Sequence, residues 1–121
     1  MFTAYVAVTL LTAGVNAAAA WADFARVGFV LANADELGIP RSFLPLLGWL
    51  KAAGAAGLAL GLAGVPYVGV AAAAGLTLFF LGAIAVHVRA RVLRKMVIPG
   101  AFLALAVASL ILTYTAYDAA S

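Results

Sequence analysis

The chain has 121 residues, 68% of them hydrophobic and 9% charged, with a net charge of +3. A soluble domain this small cannot bury so much apolar surface, and an average one is roughly 45–50% apolar, so the sequence reads as an integral membrane protein with one transmembrane domain over 1–121. Lack of cysteine excludes disulfides, thiol chemistry and thiolate metal sites. A lone histidine excludes a His-rich metal centre, and basic residues scattered between apolar spans form no nucleic-acid face.

The first apolar segment, TAYVAVTLLTAGVNAAAAWA over 3–22, has the roughly 20 residues a spanning helix requires. Its small-residue end resembles a signal-peptide cleavage site. Positions 2–22 hold no Lys or Arg, however, and a signal peptide needs a positive n-region, so the segment is expected to remain as a helix. Gly14 and the alanines 17–20 suit close helix contact. Asn16 and Asp23 lie seven residues apart and nearly eclipse one another on a helix. Asn16 is expected to donate to a neighbouring helix. If the helix persists, Asp23 carries the same face to the membrane boundary.

DFARVGFVLANADELGIPRS follows. On a helical wheel Asp23, Arg26, Asn33 and Glu36 share one face, and Phe24, Val27 and Leu31 another. The pattern predicts a short amphipathic helix lying at the interface or capping the bundle, ended near Gly38 and Pro40.

The second span covers about 43–64. Gly54, Gly57, Gly61 and Gly64 step by three, four and three, a stripe that lets helices approach closely inside one bundle or between two copies. Lys51 interrupts this run. It lies eight residues beyond Phe43, roughly 12 Å along a helix, whereas Trp49 favours a boundary nearer the lysine. Lys51 then either snorkels to the headgroups or faces the bundle and pairs with an acid. Asp23, Glu36 and His87 are expected at its level.

The third span, about 68–88, carries Gly75 and Gly82 and ends at His87. Leu76, Phe80, Ala83 and Arg91 share the histidine's face, placing an aromatic slot beneath it. Such a histidine can exchange a proton or hydrogen-bond a quinone-like carbonyl. Alternatively it belongs to the basic run HVRARVLRK, facing anionic lipid. In the fourth span, about 99–117, Ser109 and Thr113 are expected to bond back to their own helix carbonyls.

All seven basic residues, Arg26, Arg41, Lys51, Arg89, Arg91, Arg94 and Lys95, fall on one side of this four-span layout. The positive-inside rule places the first and third loops in the cytoplasm and both termini outside the cell membrane. Tyr5, Tyr67, Tyr114 and Tyr117 are expected at the outer boundary, and Trp21 and Trp49 at the inner one.

The stretch LGIPRSFLPLLGWLKAAGAAGLALGLAGVPYVGVAAAAGLTLFFLGAIAVHVRAR, continuing to PGAFLALAVASLIL, resembles the DoxX-like family of small four-helix membrane proteins. Carrying the likeness are Leu37-Gly38-Ile39-Pro40, Gly48 and Lys51, Gly57 to Gly61, Gly82-Ala83 before His87, and Pro99. It covers positions 23–118. The wider DoxX/DoxD group includes a subunit of a thiosulfate:quinone oxidoreductase, so the resemblance implies a redox-associated membrane subunit or small membrane enzyme.

Together these readings describe an all-α membrane four-helix bundle. Its inner-leaflet pocket is expected to take a lipophilic quinone-like or oxygenated molecule. His87, Lys51 and Asp23 supply the chemistry, and Asn16, Glu36, Phe80 and Trp49 complete the wall. No cofactor ligand set is visible, so electrons would come from a partner oxidoreductase. The alternative is a non-catalytic scaffold, associating through its glycine stripes and holding anionic lipid through its basic loop. A small exporter is disfavoured, since neither Asp23 nor Glu36 is clearly deep in a span.

Overall fold

In hydrocarbon the backbone must satisfy its own hydrogen bonds, which confines long apolar segments to helices. The computed structural model describes residues 2–65 and 67–120, with side chains described to Ala116. Its helices are α1 (Phe2–Ala25), α2 (Gly28–Leu37), α3 (Leu44–Leu62), α4 (Val68–Arg89) and α5 (Val97–Ala120), with 3₁₀ turns at Arg41–Phe43 and Leu93–Lys95. All but α2 are long and apolar enough to cross a membrane. Both α1 and α4 pack against α3 and α5, so the ring order is α1, α3, α4, α5 and every neighbour is antiparallel.

The expected span limits move by a few residues, with one consequence. Helix α1 runs to Ala25 and therefore includes Asp23. Arg26, at φ 52°, then turns the chain out of the helix, so Asp23 and Glu36 belong to two helices instead of one amphipathic helix. Helix α2 stops at Gly38, whose φ of 73° is the left-handed conformation that glycine adopts without strain. The N–H groups of Gly38 and Ile39 bond back to the carbonyls of Asp35 and Ala34, the double closure typical of a helix C-terminus. Pro45 occupies the first turn of α3, where its missing N–H is harmless.

Close approach of α3 and α4 depends on three of the predicted glycines. A Cβ on Gly61 would stand 2.7 Å from the Gly69 Cα; on Gly57, 2.6 Å from the Ala72 Cβ; on Gly54, 2.5 Å from Leu76. Gly48 does the same for the Phe24 ring at 3.0 Å. The expected stripe is shorter than four members. Gly64 lies past the end of α3 at φ 99°, serving the turn. Gly14, Gly75 and Gly82 have open space where a side chain would go, so they bring no helices together.

The apolar core is centred on Leu58, Ala73, Leu76, Phe80 and Ala106, with Phe102 and Leu110 packed against it. Helix α1 has the reverse of a soluble helix's pattern. Its buried face is Tyr5, Thr9, Thr12, Asn16, Ala20 and Asp23, whereas Leu10, Leu11 and Trp21 are exposed. Tyr5 is therefore a core residue and not part of an aromatic belt. Tyr67, Tyr114, Trp21 and Trp49 are well exposed, as belt residues would be. The side chain of Tyr117 lies outside the described residues.

Candidate functional site

Where α1 ends and α3 begins, Asp23 and Lys51 meet. The lysine Nζ donates to Asp23 Oδ2 at 2.9 Å, and the side chains are 16% and 5% exposed. Neither charge is well placed to reach water, so each depends on the other. The ammonium also lies 5.6 Å from the centroid of the Phe79 ring, within cation–π range. Of the three partners expected at this level, Lys51 takes Asp23.

A cavity of about 420 Å³ opens beside this pair. Its walls are mainly apolar and include Leu44, Leu47, Phe79, Phe80, Val86 and Phe102. His87, in the last turn of α4, borders the same space and is 5% exposed. Its Nδ1 stands 2.7 Å from the Ala83 carbonyl oxygen. Because a carbonyl can only accept, Nδ1 carries the proton, and in the neutral ring Nε2 is left as an acceptor.

Helix α2 covers the cavity, contributing Phe29, Val30, Asn33, Ala34 and Leu37. The loop-one segment is thus a cap over the bundle end, with Ala34 its buried contact. Two sets of ion pairs hold it. Asp35 takes a bidentate contact from Arg41, at 2.6 and 3.1 Å. Glu36 accepts from Lys95 at 2.6 Å and Arg94 at 3.3 Å. The hydrogen bond from Arg41 holds the Asp35 carboxyl below its ordinary range, and that from Lys95, aided by Arg94, does the same for Glu36.

Four of the seven predicted site residues converge here: Asp23, Lys51, Phe80 and His87. Asn16 is completely buried elsewhere, donating through Nδ2 to Thr12 of its own helix at 2.9 Å, so it makes no bridge to a neighbour. Glu36 does not border the cavity but latches its lid. Trp49 points outward, 66% exposed, with its ring edge-on to Phe24 at 5.4 Å. Phe79, Asn33, Phe102 and Lys95 also line the cavity, beyond the residues expected there from sequence. Phe79 was discoverable, since it flanks Phe80 in a FF pair; Phe102 depends on how α5 rotates, which no local spacing reveals.

The sequence profile of the DoxX-like family matches residues 7–109. The chain belongs to the DoxX-like family. The match reaches further into α1 than the quoted resemblance and stops at Ser109 in α5. Neither the curated proteins nor the solved structures gave a match. In this DoxX-like chain the matched region therefore contains the whole cavity, from Ala19 to Phe102.

Chemically, the site offers aromatic walls for a flat apolar ring and a few directed polar groups at one side. An ammonium has three donors, and the bond to Asp23 uses one of them. The others are available to an oxygen within the cavity, and His87 Nε2 can accept or return a proton.

Proposed function

We propose that the chain binds a lipophilic, oxygenated small molecule of quinone-like chemistry in the cavity under α2. One observation carries this reading: a part-buried Lys51–Asp23 pair and a buried histidine border a single aromatic-walled space of about 420 Å³. Pockets for small ligands are typically about 300–1,000 Å³, mostly apolar, with a few converging polar groups. Lys51 donates to a carbonyl oxygen of the ligand, Asp23 holds the ammonium in place, and His87 relays in turn the two protons that accompany two-electron reduction of a quinone to its quinol. Electrons come from a partner, so the chain acts as an oxidoreductase-associated membrane subunit. The exposed Arg91 and Arg94 suit anionic headgroups.

A scaffold acting through the glycine stripe is less favoured. Gly54, Gly57 and Gly61 are already occupied by α4 of the same chain.

Equilibrium binding of decylubiquinone to the protein in lipid nanodiscs tests the proposal, with the dimethyl ether of its quinol as a control lacking carbonyl groups. Tight binding of the quinone over the ether is expected. A hydrogen bond to a charged group contributes about 1.5–3 kcal/mol, so the folded Asp23→Asn/Lys51→Met double variant should bind about ten- to a hundredfold more weakly. His87→Gln should weaken it less. Equal binding of quinone and ether, or unchanged affinity in both variants, would end this reading.

A further inference from the structure

Away from the cavity, polar side chains of α1 and α5 turn inward together. Thr9, Thr12 and Asn16 from α1, and Ser109 and Thr113 from α5, are each no more than 1% exposed. Hydroxyls inside membrane helices commonly bond to the carbonyl four residues back. Thr12 does so to Val8 at 2.7 Å, and Thr77 to Ala73 at 2.8 Å. The hydroxyls of Thr9, Ser109 and Thr113 depart from that expectation. Among the described residues they have no partner, nor does Asn16 Oδ1.

Helix register gives the order of these residues along the two helices. Thr12 Oγ1 also lies 3.4 Å from the Leu105 carbonyl oxygen of antiparallel α5. From that contact, Thr9 and Ser109 lie about one turn towards the face that carries the α3–α4 turn. Thr113 lies a turn further on. Asn16 lies a turn the other way, next to Ala19, which borders the cavity. At about 1.5 Å rise per residue the series is roughly 18 Å long. Its members cannot surround one cation, which needs its oxygens about a single point. Successive turns are about 5.4 Å apart, a gap that a water spans with two hydrogen bonds of about 2.8 Å. Buried polar groups without protein partners are the usual hosts of internal water.

We propose that the seam between α1 and α5 binds a file of water molecules, held by Thr9, Asn16, Ser109 and Thr113 and leading from the α3–α4 face towards the Asp23–Lys51 pair. The inference is independent of any ligand in the cavity. It makes α1 and α5 the wet side of the bundle, and the Leu58–Leu76–Phe80 cluster the dry side.

Water-edited solid-state NMR of the full chain in lipid bilayers reads this directly. Magnetisation from water should reach the methyl groups of Thr9 and Thr12 at least fivefold faster than those of Ala73 and Leu58, which are buried in the dry core. The variant Thr9→Val/Ser109→Ala/Thr113→Val gives a second, opposite-signed readout. Removing unpaired hydroxyls from a dry seam raises Tm, whereas removing the hosts of bound water lowers it. Should the triple variant fail to fold, Ser109→Ala alone carries the same sign. Transfer to Thr9 and Thr12 no faster than to Ala73, or a raised Tm, would overturn the proposal.

Discussion

Lys51 and Asp23 show how strongly one residue can depend on another inside a membrane bundle. Asp23 is nearly sealed from water and Lys51 largely shielded, and among the described residues their 2.9 Å contact is the ion pair that neutralises both. Breaking a buried pair by removing one member costs about 3–5 kcal/mol, because the remaining charge is stranded, whereas replacing both together is often nearly neutral. Lys51→Met should therefore destabilise the protein by about that amount, and Asp23→Asn added to it should restore most of the loss. A double-mutant cycle from thermal unfolding in one detergent measures this; additive losses would show that the pair is uncoupled. This pair was legible in part. An ammonium among glycines, at a level shared with few carboxylates, leaves a short list of partners, and α1's extension to Ala25 selects Asp23. Asn16 was less legible, since spacing gives a helix face but not whether a side-chain amide bonds outward or to its own backbone.

Among the helices, α3 and α4 show why the same residue type has different consequences at different positions. A methyl group on Gly61 meets the backbone of Gly69, which cannot move unless the helices part. Overpacking of that kind costs about 1–3 kcal/mol, so Gly61→Ala should lower Tm. Gly75 faces open space, and alanine improves helix propensity by about 1 kcal/mol over glycine. Gly75→Ala should leave Tm unchanged or raise it, and equal losses at both positions would contradict this division. Sequence periodicity identified the stripe on α3 because its steps follow one helix face; it could not show that Gly75 and Gly82 of α4 look elsewhere. Helix α2 has its own dependence on pH. The carboxyls of Asp35 and Glu36 are lowered from ordinary values of 3.8 and 4.5 by their basic partners. Lowered carboxyls give attachment that is complete above those ordinary values and lost as pH falls through the lowered ones. Amide hydrogen exchange in α2, corrected for its intrinsic pH dependence, should be level down to about pH 5 and rise on further acidification. A corrected rate that stays flat down to pH 2 would mean that apolar contacts alone hold the lid.

For the whole molecule, composition pointed to a membrane protein, because a soluble domain of 121 residues cannot bury 68% apolar residues, and unbroken apolar runs of about 20 residues made its spans helices. What composition cannot give is the arrangement of helices around the ring, and hence which side chains share the cavity. That follows from contacts among α1, α3, α4 and α5 that are distant in sequence. The contacts also bear on topology. Glu36 of α2 binds Lys95 and Arg94, so the first and third loops lie on one face of the bundle. The α3–α4 turn lies at the other end, where Gly61 meets Gly69. Every Lys and Arg is thereby at or near one face, and the positive-inside rule predicts that this face is the cytoplasmic one, which labelling can test. Single cysteines can be introduced freely into a chain that has none. At Ser42 and Arg91, both exposed on the basic face, a membrane-impermeant maleimide applied to intact cells should fail to react until the membrane is opened. At Tyr67, 80% exposed at the other end, the same reagent should react at once. If Ser42→Cys and Tyr67→Cys exchange these behaviours, the bundle is inverted and the cavity opens to the outside. If both label from one side, the two loops do not lie on opposite membrane faces, and the four helices cannot each cross the bilayer in sequence.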